Sequence, residues 1–565
     1  MNYNKQVGLK KPRRIRLHAT LALCSIAAGT LSATQYASGA LYGSFEAYPW
    51  GVPWRLLEEN LLQEAIATGA TTAIGLHLLA LRLLPSRKVT DIMHGSARWA
   101  NLREIWRSGL LRPDRGDSVV VGAIRTWWGG LRLLRHAGLQ HVLVFAPTGS
   151  GKGVGLVVPS LLSWTQSVMV NDLKGELFEL TAGFRRLLGQ RVYRFAPGEQ
   201  NSVGWNPLLE IRKGTPQEMG DIQLIAMLLV DPEGDGLGGH DAHWKQTAWM
   251  LITGLILYVV HIDDGPTTLA RVDELLADPT RPLVDLWQDM TTSDHLLVAK
   301  FARDQANRPP DEGGSVVSTV QTRLAVYRDP LIAANTRRSD FFLRDLMFKP
   351  KAHALYLVTQ PPDKDRLRPL TRLLFGMAVR TLAKDVAFEG GRPKPKYRHR
   401  LLMLIDELPA YGKIGILEEC LGYLRGYGIK CFLVCQDTVQ LQSCYGKDEA
   451  ITAGCHTHVC YAPNRYETAE YISRRLGDTT IQYRSGEGKQ STLQWRQRRL
   501  LTADEVQRVP GPIKDAQDRI VDPGNVLVMA AGGYPIYGTQ PLYWRLRAIS
   551  RRARIPATLR VRRPN

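Results

Sequence analysis

The chain has 565 residues, 44% of them hydrophobic, which is too much for one ordinary domain and enough for a large core with appended modules. Its net charge of +20 suggests a nucleic-acid partner, but the excess is concentrated at the ends. Lys5, Lys10, Lys11, Arg13, Arg14 and Arg16 occupy the first 16 residues, and eight arginines lie between 545 and 563, with no acid in either stretch. A topogenic N-terminus and a solvated tail explain that placement as well as a DNA surface does, so charge alone does not select DNA. The seven cysteines are odd in number and six fall between Cys420 and Cys460, which argues against a secreted disulfide framework and for a reducing compartment. Cys431, Cys435, Cys455, His456, His458 and Cys460 sit in apolar runs without C-x2-C knuckles, so core packing accounts for them better than zinc.

Two stretches near the N-terminus, Leu17–Phe45 and Ala65–Leu81, contain no Asp, Glu, Lys or Arg and are long enough to span hydrocarbon. They predict transmembrane helices over about 17–43 and 62–84. The basic start, then Arg82, Arg87 and Lys88 after the second stretch, flank a loop holding Glu46, Glu58, Glu59 and Glu64 against Arg55. This asymmetry puts both ends inside. A cleaved signal peptide, suggested by Ala37-Ser38-Gly39-Ala40, would leave the second stretch unexplained and would export the nucleotide site that follows.

His141–Phe145 reads as a buried strand, Ala146–Gly153 as a glycine-rich loop, and Val154–Leu162 as a helix, which is the P-loop order. Thr148, Gly149, Ser150, Gly151, Lys152 and Gly153 are the candidate ATP-binding residues. Small residues let successive N–H groups turn inward around the phosphates, while Lys152 reaches the outer ones. Two positions depart from G-x4-G-K-[ST]: Ala146 replaces the first glycine, and Gly153 replaces the hydroxyl residue that normally meets Mg2+. Metal binding therefore leans on other groups. Ser167–Asn171 predicts another strand, ending on Asp172 of NDLKGE, a further candidate at the nucleotide crevice.

From about 213 to 330 the pattern turns helical, including Trp244–Val260 and Thr267–Leu276, with Pro/Gly/Asp-rich turns at 231–239 and 308–314. His240 and His243 lack the glutamate of H-E-x-x-H and follow glycines, which disfavours a zinc hydrolase. Ala352–Thr359 resumes the strand pattern, Thr371–Lys384 a helix, and Gly390–His399 a polar linker. Leu401–Ile405 then runs into Asp406 and Glu407. This is a Walker B pattern, in which Asp406 reaches the Mg2+ shell and Glu407 polarises the attacking water. Lys430–Cys435 predicts another strand ending on Gln436, whose amide could sense the γ-phosphate or simply cap the strand. Arg425 precedes that strand, as an arginine finger toward a neighbouring subunit or as a solvated loop residue. Gln482–Arg498 reads as a flexible loop or a hairpin facing a channel.

His94–Ala100 (HGSARWA), APTGSGKGVG, NDLKGE, His243-Trp244 after Gly239-His240, LIDELP, YLRGYGIKCFLVCQD and Leu500–Val506 occur in an order and spacing that resemble TraG-type coupling proteins of type IV secretion and conjugation systems, over about 90–545. The departures at Ala146 and Gly153 belong to that family pattern. The resemblance implies an α/β, RecA-like P-loop ATPase domain with an inserted all-α domain, a two-helix inner-membrane anchor and a hexamer with a central channel. On that basis residues 1–88 form the basic tail and membrane hairpin, 89–212 and 331–545 the two parts of the nucleotide-binding domain, 213–330 the all-α insertion and 546–565 a basic tail. It also implies ATP and Mg2+ as cofactors, and as partners the secretion channel with a relaxase–DNA complex, effector proteins or both. Lys152, Asp406, Glu407, Arg425 and Gln436 take the roles given above. A ring-shaped DNA translocase of the cell-division type and a docking receptor without rapid hydrolysis are the competing readings. HGSARWA and DLKGE disfavour the first, and the Asp406-Glu407 pair disfavours the second.

Overall fold

The computed structural model describes residues 30, 62–83, 93–126, 129–236, 238, 242–384, 387–389, 392–394, 396–485 and 492–558. The chain divides into two compact units, residues 1–93 and 94–565. In the first, a helix forms over Leu62–Leu83, close to the expected second span. The stretch 17–43 lies outside the described residues except Thr30. Among the described residues no helix is long and apolar enough to cross a membrane. The second helix carries threonines and glycines among its aliphatic residues, and the Thr71 and Thr72 hydroxyls bond back to the Ala67 and Thr68 carbonyls.

The second unit is built on an 11-stranded sheet. Its strands are β1 (Val119–Arg125), β2 (Leu131–His136), β3 (His141–Phe145), β4 (Ser167–Leu173), β5 (Arg191–Phe195), β6 (His353–Thr359), β9 (Leu401–Ile405), β10 (Ile429–Cys435), β11 (Cys455–Cys460), β16 (Asn525–Ala530) and β17 (Ile536–Thr539). Short antiparallel pairs β7 (Ala387–Glu389) with β8 (Arg392–Lys394), β12 (Asp478–Ser485) with β13 (Thr492–Arg499), and β14 (Ile513–Lys514) with β15 (Ile520–Asp522) stand apart. The order β11-β3-β10-β9-β4-β6-β5 is parallel, and β16, β17, β1 and β2 extend it antiparallel beyond β11.

The central parallel strands are covered on both faces, so they read as mainly apolar runs such as HVLVF, LLMLI and IKCFLVC, each fully buried, while the edge strand β5 is partly exposed. Six cysteines among the described residues are free, and Cys431, Cys435, Cys455 and Cys460 are buried in this sheet. Between β5 and β6 the chain leaves the sheet for helices from Glu218–Val230 to Pro330–Asn335, the longest being Ala242–His261. The polar segment expected as a loop or hairpin is the β12–β13 hairpin. HGSARWA packs against it: Gly95 comes so close that a Cβ there would lie 2.4 Å from the Asp478 carbonyl, and the His94 N–H donates to Thr480.

Candidate nucleotide site

Register brings the site together. Phe145 of β3 pairs with Cys435 of β10, Leu433 of β10 with Ile405 of β9, and Ile405 with Asn171 of β4. The residues that follow these strand ends therefore meet along one sheet edge: Ala146 opening the loop, Gln436, Asp406, and Asp172 within the end of β4. β10 lies between the loop strand and the Asp-Glu strand, which seats Gln436 between the two elements.

Gly149 and Gly151 adopt φ of +73° and +78°, the left-handed region open to glycine, and so fold the loop back on itself. The helix that follows is wider than the expected α-helix in its first turn, a π-helical Gly153–Val157, and becomes α-helical only over Val158–Ser163. Lys152 Nζ donates to the Asp406 carbonyl at 2.9 Å and stands 3.8 Å from both Asp406 Oδ1 and Glu407 Oε2. Gln436 donates its amide to Glu407 Oε1 at 2.5 Å, and its own carbonyl accepts from the Thr148 hydroxyl at 3.4 Å. The Ser150 hydroxyl is buried without a hydrogen-bond partner among the described residues. A Cβ on Gly153 would meet nothing within 4 Å, so the absent hydroxyl there is not forced by crowding.

Asp406 Oδ1 is likewise buried and without a hydrogen-bond partner among the described residues. Burial raises its carboxyl above the ordinary aspartate range; Lys152 opposes the shift, while Glu407 and Glu176 reinforce it. A buried carboxylate crowded by two others and facing a lysine fits a divalent cation, which would supply the missing positive charge. Asp172 stands close enough to Asp406 to feel its charge, and its Oδ1 is buried without a hydrogen-bond partner among the described residues. Its Oδ2 accepts from the Phe178 N–H at 2.7 Å at the start of helix Glu176–Leu187, and burial pushes its carboxyl up to about 6. Lys174 and Gly175, both at positive φ, make the turn from β4 into that helix.

Arg425 is not brought to this edge. It caps helix Gly415–Leu424 before β10 begins, whereas Gln436 follows the end of β10, a seven-residue strand that spans roughly 20 Å. Burial holds the His141 imidazole near it down to about 4, and His141 bonds to the Leu421 carbonyl and the Cys431 N–H, at the amino ends of β3 and β10.

Two groups that sequence reasoning missed approach the loop from the C-terminal strands. The Gln540 amide bonds to the Ser150 and Gly151 carbonyls at 3.2 and 2.6 Å. Lys514 of β14 places its Nζ 3.1 Å from where a Cβ on Gly149 would stand, while ion-paired to Asp518. Neither belongs to a local motif, since each reaches the loop from more than 360 residues away.

Residues 98–562 match the family described as Type IV secretory system Conjugative DNA transfer. The conjugal transfer protein TraG of Escherichia coli is 42% identical, over 98% of this chain and 95% of TraG. Protein VirD4 of Agrobacterium fabrum is 28% identical, over 81% of this chain and 67% of VirD4. Among solved structures, the unbound conjugative coupling protein TrwBdeltaN70 resembles the chain with a TM-score of 0.59 at 18% identity, over 79% of this chain and 92% of that one. TrwB in complex with ADP and Mg2+ gives a TM-score of 0.57 at 18% identity, over 79% and 94%. A P-loop opposite an Asp-Glu strand end, in a fold shared with the TrwB structures and a sequence matched nearly end to end by TraG, makes this chain a member of the type IV secretory system conjugative DNA transfer family.

Proposed function

We propose that the chain is a Mg2+-dependent ATPase that recruits a relaxase–DNA complex, an effector protein or both, and drives their transfer into the secretion channel. The observation that carries this is the convergence of Lys152, Asp406, Glu407 and Gln436 on one sheet edge. The loop N–H groups and Lys152 bind the outer phosphates. Asp406 Oδ1, buried, without a hydrogen bond among the described residues and 3.8 Å from Lys152 Nζ, would hold the metal, and Mg2+ there would offset the charge on the phosphate oxygens. Glu407 takes a proton from the attacking water, and Gln436, held by Glu407 and Thr148, aligns that water with the terminal phosphate. The bound ADP and Mg2+ of TrwB support a nucleotide and Mg2+ as the ligands of this site.

Arg425, at the opposite sheet edge from the loop, serves the ATP of a neighbouring subunit in a homo-hexamer. The helical stretch 213–330 is the inserted domain between the two parts of the motor, 89–212 and 331–545. Residues 1–88 anchor the chain in the inner membrane by two spans, with the motor in the cytoplasm; the paired charge-free stretches and their basic flanks support this. Threonine hydroxyls satisfied within helix Leu62–Leu83 also suit hydrocarbon, where polar groups need internal partners.

The test is ATP hydrolysis by the full chain in detergent, with and without single- and double-stranded DNA, alongside Lys152→Ala. DNA-stimulated turnover that disappears in the variant supports a DNA-transfer motor, and turnover indifferent to DNA moves the reading toward effector proteins. A wild-type rate equal to that of Lys152→Ala overturns the ATPase reading and favours a docking receptor.

A further inference from the structure

Gln540 follows β17 and is fully buried. Its backbone N–H donates to the Gly524 carbonyl at 2.9 Å, and its side-chain Oε1 accepts from the Gly524 N–H at 3.4 Å. That contact fixes which end of the amide is which, so Nε2 must be the group facing the loop, where it donates to the Ser150 and Gly151 carbonyls. Gly151 O accepts a second bond from the Gly155 N–H at 2.9 Å.

The carbonyl and N–H of a trans peptide point in opposite directions. Drawing the Ser150 and Gly151 carbonyls toward Gln540 therefore turns the N–H groups of Gly151 and Lys152 the other way. Those are N–H groups of the loop turn that carries Lys152 toward Asp406 and Glu407. Two glycines of GSGKGVG are explained by the same contact: a Cβ on Gly151 would lie 2.5 Å from Gln540 Nε2, and one on Gly155 would lie 2.4 Å from its Cγ.

We propose that Gln540 is a positioning residue of the nucleotide site, holding two successive loop peptides so that the Gly151 and Lys152 N–H groups face the phosphates of the nucleotide. The proposal rests on the ATP-binding reading above. Gln540 touches no reacting atom. Its effect is to fix the loop in its binding form before the nucleotide arrives, which removes an ordering penalty from binding. It also ties the antiparallel C-terminal strands to a loop in the first third of the chain, so that the loop's shape depends on β16 and β17 being in place.

The experiment measures the Kd for a fluorescent ADP analogue, and KM and kcat for ATP, on the full chain. Gln540→Met keeps the volume and loses both donated hydrogen bonds; Gly155→Ala keeps the amide but displaces its stem; Lys152→Ala is the reference. The expected result is Kd and KM raised roughly tenfold in Gln540→Met and Gly155→Ala, the size of one to two lost hydrogen bonds, with kcat at saturating ATP lowered much less. A merely structural role would shrink the active fraction, lowering apparent kcat and leaving KM unchanged, and that outcome overturns the proposal. If Gln540→Met does not fold, Gly155→Ala decides by the same split. If Lys152→Ala itself leaves nucleotide binding unaltered, the ATP-binding reading fails; if Lys152→Ala weakens binding and the other two variants do not, only the positioning role fails.

Discussion

Lys152 Nζ sits within 3.8 Å of both carboxylates of the Asp406-Glu407 pair, so the three charges balance only in part, and the buried Asp406 oxygen is left for a cation. Glu407→Gln keeps the shape of that arrangement and removes the carboxylate proposed as the base. ATP turnover is expected to fall by about 10²-fold or more while the Kd for nucleotide stays near the wild-type value. Equal turnover in the two proteins would remove Glu407 from the chemistry. Gly153 offers a complementary gain-of-function test, because a side chain there has open space. Gly153→Ser restores the hydroxyl of the common P-loop pattern and is expected to lower the Mg2+ concentration needed for half-maximal turnover. A higher requirement would mean that the serine cannot reach the metal. At this scale Lys152, Asp406 and Glu407 were legible because each sits in a short local pattern whose chemistry fixes spacing. Gln540 and Lys514 were not, because an isolated glutamine or lysine carries no local signal and acquires meaning only from what it touches.

Among the elements, β10 carries more than Gln436. Its buried Lys430 places Nζ 2.6 Å from His136 Nδ1, 2.7 Å from the Gly138 carbonyl and 2.9 Å from the Gln140 carbonyl, which ties β10 to β2 and to the turn before β3. Burial pushes the Lys430 ammonium well below its ordinary range and the His136 imidazole down to about 2. Lys430→Met leaves three buried acceptors unmet and is expected to destabilise the fold by about 3 kcal/mol, read from the urea midpoint. An unchanged midpoint would show that water replaces the ammonium. At the 3-10 turn Pro207–Glu210, burial pushes the Glu210 carboxyl up to about 7 although its Oε1 accepts from the Leu343 N–H and Trp205 Nε1. Its ordinary value is 4.5, so between that value and about 7 the folded chain keeps a proton that the unfolded chain has released. Stability therefore falls as pH rises through this window. Glu210→Gln keeps the acceptor and removes the titration, so it should stabilise by about 1 kcal/mol at pH 8 and have little effect near pH 4. A gain of equal size at both pH values would contradict the assignment. The parallel strands β3, β4, β6, β9 and β10 were readable because burial on both faces leaves mainly apolar runs, whereas the edge strand β5, RVYRF, is partly exposed and was not assigned. The antiparallel β1, β2, β16 and β17 were not assigned from the sequence; β2 and β17 mix polar with apolar residues, as in LRLLRH and IYGT, whereas VVVGAIR of β1 and NVLVMA of β16 do carry apolar runs.

For the whole molecule, the placement of Arg425 across the sheet from the loop makes the proposed role of this arginine at a neighbouring subunit's nucleotide testable by mixing variants. Arg425→Ala alone and Lys152→Ala alone should each lose most ATPase activity. Mixed before assembly, they should regain part of it, because some interfaces then pair an intact loop with an intact arginine. No recovery on mixing, with assembly intact by light scattering, would assign Arg425 a role within its own subunit. The sequence by itself determined the membership in the conjugative transfer family, the position of the glycine-rich loop and of the Asp-Glu pair at strand ends, and the existence of a helical stretch between strands. These depend on short-range spacing and hydrophobic period, which one chain displays in order. Tertiary structure alone decided that β10 stands between the loop strand and the Asp-Glu strand, that the C-terminal strands reach back to hold the loop through Gln540, and that Arg425 faces the far edge. Such facts follow from which remote segments pair and in what register, and pairing free energy accrues only once burial brings the partners together, so no local stretch of sequence carries it.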